Sequence, residues 1–136
     1  IIKEKKFKLN SIENELLNLN KISICTFLSL CYLYNINIMF IDNNKYVELI
    51  NDEDSEINLL KIENRKYKLY KNYDKIKIKD YQNNFYKIEN IEKPIKSMTA
   101  YTKDELINIS KKLNIKLDEK MSKKDIFSII IEKINI

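Results

Sequence analysis

Six lysines toward the end of the 136-residue sequence carry its best-defined chemistry. Lys111 and Lys112 close one helical pattern, Lys116 and Lys120 follow it, and Lys123 and Lys124 open a second. Ammonium groups so grouped suit contact with the phosphates of a nucleic acid, which gives affinity without base readout and weakens steeply with salt. A second basic set, Lys66, Lys68, Lys75, Lys77 and Lys79, is interleaved with tyrosines, among them Tyr67 and Tyr73. Aromatic rings exposed among cations are how single strands are stacked and tracked. Strand alternation also sends half of such rings into a core, so both readings stay open.

Other chemistries are closed off by absent residue types. The chain has no Gly, so a Gly-rich loop that brings backbone close to a phosphate is excluded, and with it a P-loop or a dinucleotide fingerprint. It has no His, which removes Ser-His and Cys-His nucleophile pairs and imidazole metal ligands. Cys25 and Cys31 cannot complete a four-ligand zinc site, and their spacing is not a redox CxxC; they read as buried, reduced thiols of a reducing compartment. The acidic run Asn51-Asp52-Glu53-Asp54-Ser55 lacks the central Gly and the Glu at position 12 of a calcium loop, and reads as a solvated loop. Asp80, Glu89 and Glu92 are carboxylates without defined spacing, so the expectation is a non-enzymatic protein with no cofactor, no metal and no small-molecule substrate.

The bulk composition, 44% hydrophobic and 33% charged, fits one soluble globular domain or a domain with an appendage. Ile, Lys and Asn make up about half of the chain, the vocabulary of an AT-rich genome. Net charge is +5, unevenly spread. Residues 42–60 hold one Lys against six acids, 61–88 nine basic residues against three acids, and 95–136 nine Lys against six acids. A basic second half favours polyanions, although Lys also fills ordinary solvated faces. An initial Ile reads as the start of a fragment or a processed chain.

Residues 22–41 form an uncharged stretch long enough to span a membrane. Asn35 and Asn37 interrupt it, and its last six residues, rich in Ile, read as a strand leading to the Asp42-Asn43-Asn44 turn. The expectation is a helix over 22–34, enclosed by other elements because it is apolar nearly all round, then a central strand, and no membrane span. No small-residue cleavage site follows it, so a signal peptide is not expected.

The remaining elements follow from local pattern. Residues 1–9 read as a basic edge strand or arm, and Ser11 as the cap of a short helix carrying Ile12, Leu16 and Leu17. Strand pairs are expected over 36–41 with 45–50, and over 56–63 with 66–71 across Asn64-Arg65. Lys75 to Lys79 (KIKIK) alternates as an edge strand would, and 85–91 reads as extended. Thr102-Lys103-Asp104-Glu105 is a capping box before Leu106, Ile107, Ile109 and Leu113 at helical spacing, with Asn114 as the C-terminal cap. Ser122-Lys123-Lys124-Asp125 repeats the device before Ile126, Phe127, Ile130, Ile131 and Ile134. The fold class is therefore α+β: N-terminal helices on a small, mainly antiparallel sheet (1–94), followed by a two-helix unit (95–136), with the boundary near Pro94.

The segment DELINISKKLNIKLDEKMSKKDIFSIIIEKI resembles the helix-extended-loop-helix group of SAP domains and the Rho N-terminal motif, over about 35 residues. Leu106, Leu113 with Ile115, and Lys123 with Lys124 are the matching marks, while the loop Gly of many SAP sequences is missing. The resemblance implies sequence-tolerant DNA or RNA binding, with the second helix's N-terminus facing phosphates. The junction FYKIENIEKPIKSMTAYTKDELINI looks like proteins of large nucleocytoplasmic DNA viruses, which implies a viral protein of the host cytoplasm or the virion. The alternative is a structural or scaffold subunit of a virion or other assembly. It would meet a protein partner through the apolar helix at 22–34 and the Ile129-Ile130-Ile131 run.

Overall fold

A computed structural model describes residues 22–135. The strand or arm expected over 1–9 and the helix from Ser11 lie outside the described residues. The uncharged stretch divides where its asparagines stand. Helix α1 (Ile24–Leu33) opens on Ser23, whose Oγ accepts from the Thr26 N–H at 3.2 Å. It closes as Asn35 turns left-handed at φ 57°. The Ile36 N–H then donates back to the Cys31 carbonyl at 2.8 Å, which satisfies a helix-end acceptor. Strand β1 (Ile38–Asp42) follows, and among the described residues no helix is long and apolar enough to cross a membrane.

β1 is the middle of a five-stranded sheet formed with β2 (Lys45–Leu49), β3 (Asn58–Glu63), β4 (Lys66–Tyr70) and the short β5 (Tyr86–Lys87), in the order β4-β3-β1-β2-β5. The β1–β2 and β3–β4 hairpins are antiparallel, whereas β1 with β3 and β2 with β5 run parallel. The sheet is thus mixed, not mainly antiparallel, because β3 crosses over the start of β1 to pair on its far side. Buried Asn37 holds that crossover. Its Oδ1 accepts from the Asn51 and Asp52 N–H groups at 2.7 and 3.1 Å, its Nδ2 donates to the Asp52 carbonyl, and its own carbonyl receives the Asn58 N–H at 3.0 Å.

The hairpins need left-handed backbone, and in a chain without glycine other residues supply it: Asn43 at φ 55°, and Asn64 with Arg65 at 51° and 63°. α1 covers one face of the sheet through Leu28 and Cys31 against Ile38, Phe40, Val47, Leu49, Leu60 and Ile88. It is not enclosed: Leu33 and Tyr34 stand 53% and 74% exposed.

The other face is covered by α2 (Lys75–Asn84), the segment whose alternation suggested an edge strand. Asp74 caps it by accepting from the Ile76 N–H at 2.9 Å. The sheet-facing residues Ile78, Tyr81 and Phe85 fall at helical spacing, packed with Met39, Ile41, Tyr46, Ile57 and Leu59. Ile76, the other apolar member of KIKIK, is left 74% exposed. Among the described residues, a second helix on the sheet therefore lies between β4 and β5 in the chain.

Beyond Pro94 the chain makes one 3-10 turn (Met98–Ala100) and two helices, α3 (Lys103–Lys112) and α4 (Lys123–Ile134). They share a core of Leu106, Leu113, Ile126, Ile130 and Ile134. Tyr86 packs against this core and against the α1 side of the sheet, and its hydroxyl donates to the Pro94 carbonyl at 3.1 Å.

Candidate polyanion-binding surface

The helical pair presents its lysines through well-fixed ends. At α3 the Thr102 Oγ1 accepts from the Glu105 N–H at 3.1 Å while Glu105 Oε1 accepts from the Thr102 N–H at 2.9 Å. The same hydrogen bonding to Thr102 holds the Glu105 carboxyl below its ordinary range. Ser122 and Asp125 form the equivalent box at α4, with both bonds at 3.2 Å. α3 ends as Asn114 turns left-handed at φ 59°, so that the Ile115 N–H reaches the Ser110 carbonyl at 2.9 Å. The connecting segment 113–122 leaves from there.

Lys111 and Lys112 lie in the last turn of α3, Lys116 and Lys120 in the connection, and Lys123 and Lys124 in the first turn of α4. Five are exposed and Lys123 is half-buried. None of the six makes an ion pair among the described residues. Four of the sheet's five lysines differ: Lys45 lies 3.8 Å from Asp42, Lys61 and Lys68 lie 3.3 and 3.0 Å from Glu63, and Lys87 lies 3.2 Å from Glu48, while Lys66 makes no ion pair among the described residues.

The six do not converge on one pocket. Lys116 lines a cleft with Lys45 and Lys133, neither of which was singled out from the sequence. Lys112 lines a smaller hollow with Tyr86, Tyr101 and Glu105, and the Lys123 charge also acts on Glu105. Lys111, Lys120, Lys123 and Lys124 line neither. No local signal could have found Lys45, the first residue of β2, because its partner carbonyl on Lys133 is 88 positions away.

The second basic set is divided by the sheet. Register pairs Tyr67 with Ile62 and Leu69 with Leu60, which puts Tyr67 on the α1 face, where its ring meets Phe40 edge-on at 6.3 Å. Lys66 and Lys68 pair with Glu63 and Lys61 on the opposite face. Tyr73 belongs to that α2 side, stacked on Tyr81 at 6.5 Å and edge-on to Tyr70 at 5.5 Å. Its ring already carries Lys77 Nζ at 5.9 Å, as Tyr81 carries Lys61 Nζ at 6.0 Å. Burial, with the neighbouring Tyr73, pushes the Tyr81 phenol up to about 12. Lys75 and Lys79 stand exposed on α2, so Tyr67 and Tyr73 share no stacking surface.

In the acidic loop Asp52 spends its carboxylate internally, accepting from the Asp54 N–H at 3.0 Å and from Ser55 Oγ at 2.7 Å. Among the described residues no three Cys, Asp or Glu side chains gather so as to hold a metal ion. Cys31 is buried and its thiol is pushed up by that burial, while Cys25 is half-buried. No protein-family model, curated protein or solved structure matches the chain.

Proposed function

We propose that the chain is a non-enzymatic, nucleic-acid-associated protein that binds a DNA or RNA backbone through its C-terminal helical pair. One observation carries this reading. No lysine of α3, α4 or their connection lies within ion-pair distance of a carboxylate among the described residues, whereas four of the sheet's five lysines do. Unneutralised ammoniums on exposed helix ends are free to displace counterions from phosphates. The same reading includes a viral source and a place in host cytoplasm or virion, as the junction's resemblance implies.

Fluorescence polarisation of a labelled duplex at 50 and 200 mM salt tests it. Six phosphate contacts lower affinity about 10³-fold across that interval. Replacing Lys123 and Lys124 by Glu should abolish most of the binding. No binding at the lower salt, or binding indifferent to both substitutions, overturns the proposal.

A scaffold role rests on a different observation. β4 ends the sheet with Tyr67 and Leu69 65% and 53% exposed, and Ile131 of α4 is 44% exposed. Sedimentation decides it, because a protein partner site of this kind should show as self-association or as co-sedimentation with a partner.

A further inference from the structure

The cleft that Lys116 lines opens where the Asn43-Asn44 turn of the β1–β2 hairpin faces the ends of α3 and α4. Its volume is about 470 Å³, inside the range of about 300–1,000 Å³ typical of small-molecule sites. Three lysines belong to its wall, Lys45, Lys116 and Lys133, and among the described residues no Asp or Glu does. Ile115 and Ile129 supply an aliphatic side.

Lys45 is the unusual member. It is 5% exposed, yet among the described residues its Nζ has two partners for three donors: Asp42 Oδ2 at 3.8 Å and the Lys133 carbonyl at 3.3 Å. An ammonium has three donors, and burying one with incomplete pairing is costly unless a further acceptor arrives. The helix C-termini beside the cleft carry partial negative charge, which opposes an anion. Several of those carbonyls are already engaged. The Asn114 and Ile115 N–H groups take those of Lys111 and Ser110, Asn44 Nδ2 takes Leu113 O at 3.4 Å, and Lys45 takes that of Lys133. Three cations against Asp42 and two helix ends, that of α3 closed by backbone donors, leave the cleft positive.

We infer that this cleft binds a phosphate monoester, with the dianionic head among Lys45, Lys116 and Lys133 and the organic body along Ile115 and Ile129. The inference goes beyond backbone binding and does not require it, since a mononucleotide needs no polyanion. The same head group could come from a free nucleotide or from the phosphorylated end of a strand.

Calorimetric titration of the full chain with AMP, with adenosine as the uncharged control, tests it. AMP should bind saturably and adenosine at least about tenfold more weakly, as expected when charge-assisted hydrogen bonds carry the affinity. Lys116→Gln with Lys133→Gln should weaken AMP at least about tenfold. Both residues are exposed, so the fold should persist, which circular dichroism checks. Lys123→Gln with Lys124→Gln, outside the cleft, should leave AMP binding intact while weakening oligonucleotide binding, so that the two readings fail separately.

Competition identifies the source. Displacement of AMP by a 5′-phosphorylated oligonucleotide but not by its 5′-hydroxyl twin assigns the phosphate to a strand end. Displacement by neither assigns it to a free nucleotide. The inference is overturned if AMP fails to bind at millimolar concentration, or if adenosine or the Lys116/Lys133 variant matches AMP with the parent chain.

Discussion

Substituting Asn37 by Ala should remove the clamp on the β2–β3 crossover. The carboxamide makes three hydrogen bonds, accepting from the Asn51 and Asp52 N–H groups and donating to the Asp52 carbonyl. Each is worth about 1 kcal/mol net, and the stranded loop groups recover part of their hydration because Asp52 is exposed. The expected loss is about 2–3 kcal/mol, a large share of the roughly 5–15 kcal/mol that stabilises a typical domain. With a urea slope of about 1–3 kcal/mol/M, the unfolding midpoint should fall by about 1–2 M at constant slope. Asn51→Ala is the control. It removes the single bond from Asn51 Nδ2 to the Ile36 carbonyl at 2.9 Å, on the exposed side, and should cost about 1 kcal/mol or less. If Asn37→Ala is no more damaging than Asn51→Ala, the side chain does not hold the crossover and the account of β3's position fails.

Three further outcomes rest on the packing and hydrogen bonds described above. Ile130 is 0% exposed between α3 and α4, so Ile130→Ala should cost about 2–5 kcal/mol in a urea melt, and a loss below 1 would show that the helical core is not formed as described. The Glu105 carboxyl is held below its ordinary range by Thr102, so its capping contribution is present above the unfolded value near 4.5 and is lost as pH falls below it. The stability gap between the parent and Glu105→Ala should accordingly shrink between pH 6 and pH 3. Burial pushes Tyr46, Tyr81 and Tyr86 up to about 12, with help from Glu48, Tyr73 and Tyr101 respectively. Ultraviolet titration of the nine tyrosines should show a late-ionising group, and folding should weaken as pH rises from 10 to 12, because these three phenols ionise there only in the unfolded chain.

Much of the fold was legible where the cause is local. Asn35 ends α1 and Asn37 ties down the chain beyond it, and both stood out in the sequence because carboxamides do not belong in an apolar span. The Asn64-Arg65 turn and the two capping boxes were equally readable, since each needs only neighbouring residues. α2 was misread because a five-residue window cannot separate period 2 from period 3.6. The sheet-facing stripe becomes visible only when Tyr81 and Phe85 join Ile78. Parallel pairing of β5 with β2, and the meeting of Lys45 with Lys116 and Lys133, arise from tertiary packing and leave no short-range trace. Whether Tyr67 and Tyr73 share a platform stayed open in the sequence because proximity along the chain hides which face each ring takes.

The left-handed turns have one more outcome. A glycine at Asn43 or Asn114 would satisfy the backbone and present nothing else to a visiting molecule. Asparagine meets the same steric demand and adds an amide, and both of these residues border the cationic cleft. A shortage of the simplest amino acid has in this way furnished the hollow with neutral polar groups that can accept or donate. Exchanging either asparagine for glycine would ease the bend while stripping the rim, separating what the residue does for shape from what it does for recognition.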